Sequence, residues 1–98
     1  MDTFEQLKSA MKGKKAVTVR KSILGPTVRH YETDIFAPRK GAVRISSGGL
    51  FSVTTKRHIN NCFRAIGMSA SVYQRKNVWY VESNGLEQVF FDGMFVNW

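Results

Sequence analysis

The chain has one cysteine, two prolines and no acidic residue between Ile35 and Val81, and each scarcity excludes something. Cys62 alone cannot close an internal disulfide. With only His30 and His58 to help, it also falls short of the ligand set of a structural zinc site, so a reducing compartment is expected. No apolar run approaches the ~18 residues that a membrane-spanning helix needs. The opening Met1-Asp2-Thr3-Phe4-Glu5 lacks the charged-then-apolar order of a secretory signal, which points to a soluble cytoplasmic protein. Neither GxxxxGK[ST] nor GxGxxG occurs, so a phosphate-cradling loop and nucleotide hydrolysis have no support. At 98 residues there is room for one core, hence a single domain over 1–98. The 43% of hydrophobic residues, 12 aromatic residues among them, are enough to fill it.

What is abundant is positive charge. Fifteen Lys and Arg face seven Asp and Glu, for a net charge of +8. The acid-free interval holds Arg39, Lys40, Arg44, Lys56, Arg57, Arg64, Arg75 and Lys76, whereas Glu82, Glu87 and Asp92 are the only charges after Lys76. A field polarised in this way draws polyanions. Nucleic acid is therefore the expected partner, with DNA or RNA left open; the alternative is a charged surface that merely keeps a small protein in solution.

Hydrophobic periodicity divides the chain. Thr3-Phe4-Glu5-Gln6 reads as a capping box with Thr3 as N-cap, and Phe4, Leu7, Ala10 and Met11 continue on one helical face until Gly13. Ala16 to Ile23 alternates, with Val17, Val19 and Ile23 toward the core, and Gly25-Pro26 ends it. A second strand is expected over Thr27 to Phe36, a turn at Pro38-Arg39-Lys40-Gly41, a third strand over Ala42 to Ser46, and a flexible connection at Ser46 to Gly49. Ile59, Cys62, Phe63 and Ile66 form a continuous apolar stripe, predicting a helix capped by Thr54 or Thr55 and closed by Gly67. Ala70 to Arg75 and Val78 to Glu82 read as a hairpin across Lys76-Asn77. Asn84-Gly85 turns the chain into Val89 to Phe91, and Asp92-Gly93 precedes the closing Met94 to Trp98. The fold class that results is α+β, an antiparallel sheet of five to seven short strands with two helices, in the order α-β-β-β-α-β-β-β.

Three groupings bear on function. Arg57, Asn60, Asn61 and Arg64 lie at i, i+3, i+4 and i+7, opposite the apolar stripe, with Lys56 beside them. Arg and Asn are the side chains that read base edges and hold phosphates, although any surface helix needs a polar face. Tyr73, Arg75, Lys76, Trp79 and Tyr80 interleave rings with charges, as single strands require for stacking. Alternation assigns Trp79 to the core and leaves Tyr73 or Tyr80 partly exposed. The tips Arg75-Lys76-Asn77 and Pro38 to Gly41 project charges suited to phosphates. Lys56, Arg57, Asn60, Asn61, Arg64, Tyr73, Arg75 and Lys76 are accordingly the candidate nucleic-acid-binding residues, with no catalytic residue, metal or cofactor expected. Glu32 and Asp34, two apart on one expected strand, would share a face but lack the further acid and lysine of a metal nuclease. Cys62 on the apolar stripe reads as a buried hydrophobe, and His30 as an exposed strand residue.

Thr54-Thr55-Lys56-Arg57-His58-Ile59-Asn60, Val72-Tyr73-Gln74-Arg75-Lys76 with Trp79-Tyr80-Val81, and Phe91-Asp92-Gly93-Met94 resemble segments of small, mostly uncharacterised proteins encoded by tailed bacteriophages. The resemblance covers the second half of the chain. It implies a protein made in the bacterial host cytoplasm, and it raises a rival to nucleic-acid binding, a modulator or inhibitor that binds a host protein; a virion or assembly component is a third alternative. Oligomeric state is left open.

Overall fold

In the computed structural model, which describes residues 2–98, the chain runs α1 (Thr3–Ala10), β1 (Val17–Ser22), β2 (Gly25–His30), β3 (Thr33–Arg39), β4 (Ala42–Ile45), α2 (Val53–Ala65), β5 (Ala70–Arg75), β6 (Val78–Ser83), β7 (Leu86–Val89) and β8 (Met94–Asn97). The class is α+β with antiparallel pairing, as expected. The strands of the described residues, however, divide into two sheets, ordered β1-β2-β3-β4-β8 and β5-β6-β7.

Both helices start one to three residues before the expected caps. Asp2, not Thr3, caps α1: its carboxylate accepts the Glu5 N–H at 2.8 Å, and Thr3 is already helical. Ser52, rather than Thr54 or Thr55, caps α2, accepting the Thr55 N–H at 3.1 Å, while Thr55 itself is buried. At the far end the expected stop holds. Gly67 takes φ +76, its N–H reaches Arg64 O, and Met68 N–H reaches Phe63 O, the paired bonds of a Schellman motif.

The first half of the chain is more finely divided than its pattern suggested. The span Thr27 to Phe36 is not one strand, because the chain turns at Tyr31-Glu32, with Tyr31 at φ +55 and its N–H bonded to Ala16 O at 2.8 Å. Gly25 and Pro26 lie within β2; the hairpin tip is Ile23-Leu24, and Ile23 is fully exposed instead of facing the core. Pro38 and Arg39 likewise belong to β3, leaving Lys40-Gly41 as the turn. Turn residues lost their usual meaning here because a two-residue hairpin needs only its central pair outside the ladder.

The inner side of the five-stranded sheet supplies Val28, Phe36, Val43, Ile45, Met94 and Val96 to the core. Leu7 and Met11 of α1 and Ile59, Cys62 and Phe63 of α2 close over them, and the Phe36 and Phe63 rings meet edge to face at 5.1 Å. Each such side chain contributes about 1.5–3 kcal/mol through its removal from water. The three-stranded sheet adds Val72, Trp79 and Val81 from the other side of α2, so Trp79 is core, as its alternation indicated.

Ser46 to Gly49 is a fixed connection, not a flexible one. Asp92, more than forty residues on, accepts Ser47 N–H and Ser47 O–H at 2.7 Å each and Gly49 N–H at 3.1 Å. Burial alone would raise the Asp92 carboxyl, but these donors more than offset it and hold it below its ordinary value. Gly48 has φ +65 and lies so close to Thr33 that a Cβ there would fall 2.3 Å from its hydroxyl, so no other residue fits. The clasp turns the chain at Asp92-Gly93 and delivers β8 to the free side of β4.

Candidate nucleic-acid interface

The polar side of α2 and the edge strand β5 form a groove of about 340 Å³. Five of the eight expected residues line it: Lys56, Arg57, Asn60 and Arg64 from the helix and Tyr73 from the strand. Val53, Val72 and Gln74 complete the wall. Helical spacing of 3–4 residues accounts for the helix side; the strand side exists because Val72 anchors β5 beneath α2.

Asn60 makes that anchor. Its side-chain amide donates to Val72 O at 2.9 Å and accepts Val72 N–H at 2.7 Å, imitating a neighbouring strand along the outer edge of β5. Its hydrogen-bonding groups are therefore held in the fold rather than offered to a base. Lys56 Nζ bonds Gln74 Oε1 at 3.0 Å and lies 5.4 Å from the centre of the Trp79 ring, which keeps its charge at the groove wall. Arg57 and Arg64 are exposed. Arg64 donates to the side chain of Asn61, which is half-buried and not itself part of the groove lining. None of Lys56, Arg57 and Arg64 has a carboxylate within ion-pair distance among the described residues.

Arg75 and Lys76 do not line this groove, and Tyr73, which borders it from the edge strand, belongs by register to the other face of the small sheet. Lys76 and Asn77, with φ +51 and +66, form the expected hairpin tip, and Lys76 is exposed there. Tyr73 and Arg75 lie with Tyr80 on the face of the small sheet turned away from α2, since Tyr73 pairs with Tyr80 across β5 and β6. The two tyrosine rings stack at 5.9 Å, and the Arg75 guanidinium covers Tyr80 at 4.6 Å. Both Tyr73 O–H and Arg75 donate to Glu87 of β7, the arginine at 2.8 Å. The bond to Glu87 raises the Tyr73 hydroxyl above its usual range; the same bond, followed by Arg75, lowers Glu87. Glu87 was missed as a counter-ion, although Asn84-Gly85 and strand alternation were enough to place it on the side of Tyr80.

Residues outside the groove also settle. Arg39 does not project from a turn: its guanidinium bonds Pro26 O and Pro38 O at 2.7 Å and the Thr27 hydroxyl at 3.0 Å. Glu32 lies in a turn while Asp34 pairs with Arg29 at 3.0 Å, so the two carboxylates do not act together. Cys62 is wholly buried and its thiol is pushed up to about 12 by burial. His30 is buried, contrary to expectation, with its ring 4.8 Å from that of His58. Burial lowers both imidazoles; for His58 the charges of His30, Lys14 and Arg57 add to it, and its Nδ1 has no hydrogen-bond partner among the described residues. A wider depression of about 580 Å³ lies between α1 and β1, floored by Met11, Val17 and Val19, and holds none of the expected residues. Among the described residues no helix is long and apolar enough to cross a membrane.

No curated protein and no solved structure matches this chain. A family model does, over residues 2–97, and it describes the Kyanoviridae Gp96 protein, in accord with the likeness to tailed-phage proteins. The match spans both sheets and both helices, and the chain belongs to the Kyanoviridae Gp96 protein family.

Proposed function

We propose that this phage-family protein is a non-enzymatic nucleic-acid-binding module acting in the cytoplasm of the infected bacterium, with the groove between α2 and β5 as its phosphate-binding site. One observation carries the reading: Lys56, Arg57 and Arg64 converge on one groove without a carboxylate partner. Cations held together but unneutralised gain by displacing the counter-ions of a polyanion. Asn61, bonded to Arg64, is the asparagine left to approach a base, while Asn60 holds β5 in place. Lys76 extends the charge toward the hairpin tip.

The test is fluorescence anisotropy of labelled duplex DNA, single-stranded DNA and RNA against the protein and an Arg57→Gln, Arg64→Gln variant, over a series of salt concentrations. Loss of two phosphate contacts should weaken binding to all sequences alike and shallow the duplex salt slope by about 1.8, at ~0.9 per contact. An unchanged slope and affinity would remove the groove from the site.

A second reading is a modulator that docks on a host protein. The exposed apolar side chains Leu86 and Val89 of β7, followed by exposed Phe91, favour it. It requires a stoichiometric partner in a host-lysate pull-down that survives nuclease treatment.

A further inference from the structure

The five-stranded sheet has a second surface, on the side away from the helices, that the groove does not use. Inner positions Val28, Phe36, Val43 and Val96 are buried, so the alternate positions on the same strands lie on the other side, where Arg20, Arg44 and Phe95 are exposed while Ala37 is covered. Register aligns them. Arg20 pairs with Thr27; Thr27 and Ala37 adjoin the Val28–Phe36 pair; Ala37 pairs with Arg44, and Arg44 with Phe95. One row therefore crosses every strand of the sheet, from Arg20 to Phe95, over about 19 Å at ~4.8 Å per strand.

The chemistry along this row is specific in kind. Of its three middle residues Thr27 is small and half-buried, Ala37 is small and buried, and Arg44 is exposed; its ends are an exposed arginine and an exposed phenylalanine. Arg39 lies between them, its guanidinium tied to Pro26 O, Pro38 O and the Thr27 hydroxyl, and so fixes a third positive charge over the centre. A depression of about 270 Å³ opens beside Arg20 and Thr27. Asp34 also borders it, but is paired with Arg29. Phe95 is 58% exposed with an arginine as its cross-strand neighbour, so its ring is open to stacking.

We propose that this face is a second nucleic-acid surface, selective for a single strand: Phe95 stacks on an unpaired base while Arg44, Arg39 and Arg20 take the phosphates. A flat sheet reaches the flat side of a base only when that base is unpaired, whereas a duplex offers it phosphates alone. The proposal shares with the groove reading only the class of ligand, since no residue is common to the two surfaces.

Anisotropy titrations of twelve-nucleotide single-stranded DNA, the same sequence as RNA, and the DNA duplex test it with Phe95→Ala, Phe95→Tyr and Arg44→Gln variants beside Arg57→Gln, Arg64→Gln. Phe95→Ala should weaken single-strand binding by about tenfold, the order of one lost stack, and leave duplex binding unchanged. Phe95→Tyr should retain it, and Arg44→Gln should shallow the single-strand salt slope by ~0.7. The better of the two single strands names the sugar. Unaltered thermal melts establish that the exposed substitutions leave the fold intact. Single-strand affinity unaffected by Phe95→Ala, or duplex and single strand weakened equally, would overturn the proposal. Loss confined to the Arg57→Gln, Arg64→Gln variant would keep the groove and discard the sheet face; loss confined to Phe95→Ala would do the reverse.

Discussion

Across the strands of the five-stranded sheet five basic side chains, Arg20, Lys21, Arg29, Arg39 and Arg44, face one acid, Asp34; across those of the three-stranded sheet Arg75 faces Glu82 and Glu87. In the small sheet the one cation is enclosed by partners: Glu87 binds it, Tyr80 lies under it, and Tyr73 shares its acid. In the large sheet Arg29 is paired with Asp34 and Lys21 reaches Asp2 at 3.8 Å, at the exposed end of α1, so that among the described residues Arg20, Arg39 and Arg44 have no carboxylate partner. The net charge of +8 is thus not spread over the surface by residue count. Register decides which cations meet acids, and it leaves the free ones on the large sheet and on α2, with the small sheet as a nearly neutral support.

Stability should divide along the same line. Phe36→Ala removes a ring wholly buried against Phe63 and should cost about 3–5 kcal/mol in urea unfolding. Asn60→Ala strips the partners from both backbone groups of Val72 and should cost about 1–3 kcal/mol. Its effect on amide exchange should concentrate in β5 and β6, with the large sheet protected as before. Exchange accelerating uniformly through both sheets would show that the halves do not loosen separately.

Acid should act first on the large sheet. His30 ends β2 and His58 lies in α2, and both are buried with lowered pKa values. The unfolded chain protonates near the ordinary value of about 6.5 while the folded chain resists, so below that pH the unfolded state binds more protons. Stability should be level above about pH 6.5 and fall as pH drops through the folded values. Urea midpoints at several pH values would measure this, and His58→Leu should flatten the curve. A midpoint independent of pH between 7.5 and 5 would contradict it.

The smallest effect is expected at the small sheet. Glu87→Gln should leave stability nearly unchanged, because the group is exposed and such pairs contribute little. It should let the Tyr73 hydroxyl titrate closer to its usual value, seen by ultraviolet difference titration. Arg75 lies outside the groove, so the duplex salt slope should stay as it was. An unshifted Tyr73 titration would mean that Glu87 does not restrain these side chains in solution.

Legibility in the sequence followed the range of the interactions. The apolar stripe of α2, its stop at Gly67, the Lys76-Asn77 hairpin and the burial of Trp79 were all readable, because periods of 3.6 and 2 residues reflect which side a core lies on. The two helix caps were displaced because Asp2, Thr3, Ser52, Thr54 and Thr55 are all chemically able to cap, and only backbone geometry chooses among them. Of the expected interface, the helix residues came together as their spacing required. Asn60 went to the backbone of Val72, and Arg75 and Tyr73 to Glu87, since each met a partner at least twelve positions away.

By itself, then, the sequence determined the fold class, the basic character and the amphipathic second helix, all of which depend on composition or on neighbours within a turn or two. The tertiary structure alone decided that the strands separate into two sheets, that β8 returns to β4 under the hold of Asp92, and that Arg20, Arg44 and Phe95 share one row. The physical reason is the same in each case. Hydrogen bonds between strands distant in sequence set the register, and register, not local pattern, determines which side chains become neighbours.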